Sequence, residues 1–335
     1  MRKVFYTLAA ILLAAIISPS LSAYDFKSGD LYYKFGFDNK CVSVTYENSN
    51  EDNYSLLKGD VIVPATVDYN GQTYQVTEIG GYAFRYCSGI TGVKLPSTIK
   101  GIREESFRNC TSLKSIDLPD GINGLDYKAF SGCSSLESVR LPNDITDIGK
   151  QSFYSCKSLK SIDLPNSVKT ISDYAFYACS ALTELQLPSS LGFMGNYSFS
   201  KCENLKTLKI IEGVTTLQNA AFYDCRLLQA IWLPSSLSRI EAEVFGNCLS
   251  IREIRCKRTR PAVIENTNCF DSSVYKLATV YIPNGYISVY CLTDGWEKFS
   301  NIEEENAIKH GDLNADGVIN AADVSYLYEL IMQQQ

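Results

Sequence analysis

The chain has 335 residues, 45% of them hydrophobic and 20% charged, the balance of an ordinary soluble protein. With 31 basic against 37 acidic residues the net charge is −6, so no chain-wide basic field exists to attract nucleic acid. His310 is the single histidine, which leaves no Ser/His/Asp or Cys/His arrangement for most of the chain.

The first element is a leader. Arg2 and Lys3 precede an apolar run over 4–17, and Leu21-Ser22-Ala23 has the small residues of a cleavage site. This predicts a secretory signal peptide over 1–23, because the run is short for a membrane span. No later segment is long and apolar enough to cross a bilayer, so no membrane span is expected after cleavage. The mature chain is expected to begin near Tyr24 and to act outside the cell or on its surface. Residues 24–75 then read as a β-rich N-terminal cap. Residues 31–37 and 41–46 alternate apolar and polar side chains, and Asn70-Gly71 between 67–69 and 73–76 is a hairpin turn. A polar loop occupies 47–53.

From 76 to 256 the chain keeps a 23-residue beat. Phe84, Phe107, Phe130, Phe153, Phe176, Phe199, Phe222 and Phe245 mark it. A cysteine follows each by three: Cys87, Cys110, Cys133, Cys156, Cys179, Cys202, Cys225 and Cys248. A third rail runs Leu95, Leu118, Leu141, Leu164, Leu187, Ile210 and Leu233, with proline after every leucine. Such a register over eight copies predicts a solenoid, with one apolar edge of each unit buried against the next. Ile162 and Leu164 alternate with Ser161 and Asp163 as in a half-buried strand, and Pro165 ends it for want of an amide donor. Phe153 then plugs the coil. The residue before the phenylalanine is Ala or Ser in every unit except at Val244, which lets the backbone turn tightly over the ring.

These units resemble the BspA-type leucine-rich repeat. The resemblance implies a curved solenoid with a parallel β-sheet on one face, and a secreted or surface protein used for binding and adhesion rather than catalysis.

Twelve cysteines in an exported chain would ordinarily suggest disulfides. Coils about 4.8 Å apart instead put the eight repeat cysteines in a column with parallel side-chain directions, unsuited to bridging. They are read as buried thiols acting as small apolar residues. Cys41, Cys256, Cys269 and Cys291 lie outside the column, and a disulfide among them stays open with no pairing assigned. Zinc is disfavoured, since there is no Cys-x-x-Cys and one histidine.

Residues 257–302 read as a C-terminal cap. Cys269-Phe270 is a decayed copy of the corner, 278–283 a strand ending in proline, and 286–301 a short helix with Trp296 in the core. Residues 303–309 read as a charged linker. Residues 310–335 then carry a calcium-type loop. Asp312, Asn314 and Asp316 offer side-chain oxygens, Gly317 the sharp turn, Val318 a carbonyl, and Asn320 and Asp323 the remaining ligands. The closing Asp323 makes the loop resemble a dockerin repeat, present here once rather than twice. The resemblance implies calcium binding at these positions and raises a cohesin-like partner. A following helix over 321–332 would place Val324, Leu327 and Ile331 on one side.

Binding must be written on positions the repeat leaves free. Just before the leucine rail stand Lys94, Asp117, Arg140, Asp163, Gln186, Lys209, Trp232 and Arg255, expected to point outward. Trp232 beside Lys209 and Arg255 is one candidate, as ligand anchor or as edge packing. Tyr154, Tyr174, Tyr177 and Tyr197, near the phenylalanine corner, form a second, either contacting a glycan or protein or shielding the turns. Taken together, the chain reads as a non-catalytic secreted or surface protein binding a host or bacterial protein or glycan. The alternative is a structural component of an extracellular polysaccharide-degrading assembly held through its tail.

Overall fold

A computed structural model describes residues 23–37, 39–47, 57–266 and 268–305. Each 23-residue unit forms one turn of a parallel β-solenoid, and neighbouring turns meet along two strand faces and one corner. On the first face, short parallel strands lead up to or into the Leu-Pro rail: Gly89–Lys94, Ser115–Asp117 and Ser138–Arg140, then Thr207–Lys209, Ala230–Leu233 and Glu253–Cys256. On the second, two-residue strands run from Gly101–Ile102 to Phe193–Met194 and again from Thr216–Leu217 to Val263–Ile264.

The expected strand at Ser161-Ile162-Asp163 is not hydrogen-bonded as one, nor is Glu184-Leu185-Gln186 on the next turn. The first face is therefore two sheets, of four and five strands, with a gap of two turns between them. The second face breaks between Phe193–Met194 and Thr216–Leu217. Ile162 and Leu185 are buried all the same. Alternation decides which side chain turns inward, whereas a ladder also needs the turns to sit at hydrogen-bonding distance.

The corner is continuous where the faces are not. Phe84 through Phe245, joined by Phe270, make a stack of nine rings with centroids 5.0 to 5.9 Å apart and planes within 16°. Each ring is shielded from water. The phenylalanine N–H donates to the next turn every time, as from Phe176 to the Ser198 carbonyl at 2.7 Å and from Phe199 to the Ala221 carbonyl at 2.9 Å.

Two residues before and two after each repeat phenylalanine, the backbone is left-handed. The φ values lie between 51° and 64° at fifteen non-glycine residues, among them Gln151, Ser155, Tyr174 and Ala178; Gly132 is the one glycine in such a position. Left-handed geometry costs an L-residue about 1–2 kcal/mol. It also turns these N–H groups towards the next turn, where Gln151 donates to Asp173 and Ala178 to Ser200. The cysteines complete the corner. From Cys110 to Cys248, each Sγ donates to the carbonyl of the phenylalanine one turn back, at 3.0 to 3.4 Å. The thiols are thus hydrogen-bond donors as well as the small apolar residues expected.

At the N-terminal end, Leu31–Phe35 and Cys41–Thr45 are antiparallel strands, ending a little short of the sequence expectation. Thr66–Tyr69 and Gln72–Ile79 form the predicted hairpin through Asn70 and Gly71, both at positive φ as a type I′ turn requires. Gln72–Ile79 pairs with Cys41–Thr45 on one side and Gly101–Ile102 on the other, so these strands run on into the second face.

Past Cys256, Phe270 stacks on Phe245 despite a spacing two residues longer than the repeat. A helix at Ser272–Leu277, not anticipated, is capped by Asp271, and Thr279–Pro283 is a strand as expected. The helix expected over 286–301 is confined to Ile287–Cys291. Trp296 is core, its indole N–H donating to the Ala262 carbonyl at 2.8 Å. Glu303, Glu304 and Glu305, read as the start of a linker, belong instead to the strand Asn301–Glu305, parallel to Thr279–Pro283. Two of the three charges have partners there: Arg255 pairs with Glu305, and Glu304 accepts the N–H groups of Gly285 and Ile287. The strand is the outermost of its sheet among the described residues, and three consecutive glutamates disfavour pairing of that edge with another chain. The leader over 1–22 and everything from 306 onward, including the calcium loop and His310, lie outside the described residues.

Candidate binding surface

The outward column of the first face is where the sequence placed it. Lys94, Asp117, Arg140, Asp163, Gln186 and Lys209 are exposed, with Ile116, Val139, Ile162, Leu185 and Leu208 buried between them. Lys209, Trp232, Arg255 and Tyr281 stand in register on four successive strands.

Two of the three residues expected to act together differ from expectation. Trp232 is half-buried rather than fully exposed, because Lys209 and Arg255 lie along its two sides. Arg255 is committed within the protein. It pairs with Glu253 at 2.5 Å and Glu305 at 2.7 Å, and its guanidinium lies 4.5 Å from the Tyr281 ring centre. Its pKa is raised by the hydrogen bonds to Glu253 and then Glu305. Arg255 therefore forms a rigid wall for Trp232 and has no fork left for a ligand. The Trp232 indole N–H, unlike that of Trp296, meets no acceptor among the described residues.

The four tyrosines do come together. Tyr154 stacks on Tyr177 at 4.9 Å and 8°, Tyr174 on Tyr197 at 4.8 Å and 5°, and Tyr174 meets Tyr177 at 5.6 Å and 54°. Lys201 sits 5.3 Å over Tyr177, and its pKa is raised by a hydrogen bond to that phenol. Stacking turns ring faces towards each other, so a sugar finds few open faces on which to lie. The ladder shields the turns and presents phenol edges.

A third cluster on the same edge was not singled out from the sequence. Glu105, two before Phe107 and buried, faces Arg85 at 3.2 Å, Arg108 at 2.9 Å and Lys128 at 3.9 Å. Arg85 and Arg108 also lie over Tyr86, 4.8 and 5.8 Å from its centre. The signal was an acid in a column that otherwise reads Tyr82, Lys128, Gln151, Tyr174, Tyr197, Ala220 and Glu243, followed one turn on by Lys128, and visible only once the turns are superposed.

All twelve thiols are free, those of Cys41, Cys256, Cys269 and Cys291 included, and ten are buried. Burial pushes Cys87 and Cys179 up to about 12, and Cys110, Cys156, Cys202 and Cys225 well above the usual thiol range. The thiolate is the nucleophile, so native protein at pH 8 should be alkylated readily at Cys41; Cys291 is the one other thiol not buried among the described residues. The other ten should react only on unfolding, as peptide mapping after iodoacetamide would show. Native labelling inside the column would mean that the turns open.

A family profile for the BspA type leucine rich repeat region, in six copies, matches residues 77–202 and 169–295, about two-thirds of the chain. The chain belongs to the BspA-type leucine-rich repeat family. No curated protein matches it. Solved structures similar to it include a leucine-rich repeat protein from Bacteroides ovatus, at 24% identity over 80% of this chain and 81% of that one, with a TM-score of 0.42. A leucine rich cell surface protein from Faecalibacterium prausnitzii is 21% identical over 87% and 96%, with a TM-score of 0.43. The pneumococcal vaccine antigen PcpA is 18% identical over 85% and 99%, with a TM-score of 0.44. In this BspA-type chain the Phe/Cys corner is core and outward positions carry the individuality, so Trp232 and Lys209 are features of this member rather than of the repeat. Among the described residues no group of three metal-ligating side chains converges, and no helix is long and apolar enough to cross a membrane.

Proposed function

We propose that this BspA-type protein is a secreted or cell-surface binding protein without catalytic activity, whose solenoid recognises a protein or glycan surface. The observation that carries this reading is the pair on the outward face: Trp232, half-open with an indole N–H that meets no acceptor among the described residues, and the exposed Lys209 beside it. An aromatic braced by a locked neighbour loses little freedom on binding, which is what an anchor residue needs. Trp232 and Trp296 are the only tryptophans, and Trp296 is buried, so a Trp296→Phe background leaves Trp232 as sole reporter. Its emission should shift as an immobilised-panel hit, glycan or surface protein, is titrated in. Trp232→Ala should weaken that binding by at least about tenfold. Unchanged affinity in Trp232→Ala, with loss in Tyr177→Ala, would move the site to the tyrosine edge.

The tail supports a second role. The oxygen donors of Asp312, Asn314, Asp316, Val318, Asn320 and Asp323 have the spacing of a calcium loop. Calorimetry on the mature protein should show one calcium site, lost in Asp312→Ala/Asp316→Ala. A silent titration of the parent protein would remove the calcium reading. The spacing also favours a reading in which the tail tethers the protein to a cohesin-like partner in an extracellular polysaccharide-degrading assembly. Deleting 311–335 separates the two: solenoid binding should survive, and assembly should not.

A further inference from the structure

The helix Ile287–Cys291 turns only Tyr290 inward, its hydroxyl donating to the Arg258 carbonyl at 2.6 Å. Around it Tyr286 is 37% exposed, Ile287 45%, Val289 39% and Leu292 86%, and the Cys291 thiol is exposed among them. Five of the seven positions over 286–292 are of this kind, Ser288 being polar and Tyr290 buried, and they mark a surface that something covers.

The path of the chain says what. The last described strand, Asn301–Glu305, packs on this helix, and the Glu304 carboxylate accepts the N–H groups of Gly285 at 2.8 Å and Ile287 at 3.2 Å. The described chain therefore ends at the foot of the exposed patch, with thirty residues of sequence, 306–335, still to follow. They carry Val324, Leu327, Tyr328 and Ile331, three and four apart, a helix-period stripe with no partner of its own in the sequence around it. The residues before 321 extend to as much as ~50 Å, so reach is no obstacle. We propose that residues 321–332 are the cover, laying Val324, Leu327 and Ile331 over Ile287, Val289 and Leu292. The apolar end of the solenoid is then sealed by its own chain, as the last turn of a repeat stack requires. This goes beyond the binding and calcium readings and rests on neither.

Cys291 is the built-in probe. Iodoacetamide labelling of the full-length mature protein, mapped by peptide in calcium-containing buffer, reads Cys291 against Cys41 as an internal reference. Leu327→Asp/Ile331→Asp should label Cys291 at least about tenfold faster than the parent, with Cys41 unchanged. Ser325→Asp, off the stripe, should leave both rates alone. Equal Cys291 rates in parent and double variant would overturn the proposal, as would equal acceleration by Ser325→Asp. So would protection that fades on dilution of a protein that light scattering shows as a dimer, since the cover would then be a second copy.

Discussion

Phe176→Ala should cost about 3–5 kcal/mol, the usual loss for a fully buried aromatic, and should also divide the molecule. The ring sits between Phe153 at 5.2 Å and Phe199 at 5.0 Å, on a turn where the first strand face is interrupted and only the second stays paired. There the N-terminal and C-terminal turns are joined through the second face and the corner, the latter by the ring stack, the Phe176 N–H to Ser198, and the Cys202 thiol to the Phe176 carbonyl. In a stacked array, stability is a sum of units and their nearest-neighbour interfaces, so weakening one interface uncouples its two sides. Both tryptophans, Trp232 and Trp296, lie on the C-terminal side. In urea, fluorescence should therefore report that side alone while far-ultraviolet circular dichroism reports the whole. The two curves should coincide for the parent protein and separate for Phe176→Ala. Coincident curves at lower urea would mean that the second face by itself transmits cooperativity.

Glu105→Ala should lose about 2–3 kcal/mol. Removing one member of a buried ion cluster costs about 3–5 kcal/mol, reduced here because the side chains of Arg85, Arg108 and Lys128 are 24%, 26% and 22% exposed. The loss arises from three cations left facing one another, so it has a salt signature. In 1 M salt the Debye length falls to about 3 Å, and the deficit should shrink markedly. A deficit unchanged by salt would assign it to packing. Glu105→Gln, which keeps the shape at φ 51° and removes the charge, should behave as Glu105→Ala does.

The repeat was legible because it is local and redundant. Phe, Cys and Leu recur at one spacing, so each of Phe84 through Phe245 could be assigned its place from its neighbours. The same arithmetic brought Tyr154, Tyr174, Tyr177 and Tyr197 to one edge and Lys209, Trp232 and Arg255 to one row. It did not say how those side chains are used. That Arg255 is spent on Glu305 depends on a partner fifty positions away, in a segment whose glutamates read locally as solvated linker. That the tyrosine faces cover each other depends on ring orientation, which spacing leaves open.

By itself, the sequence determined the solenoid, its period and its inward and outward positions, because burial alternates with backbone geometry and every unit repeats the decision. The tertiary structure decided where the ladders run and stop, which thiols donate and to what, and which charges are already paired. These depend on distances of a few tenths of an ångström between turns, and on contacts between residues far apart in the chain, neither of which a pattern of residue types encodes.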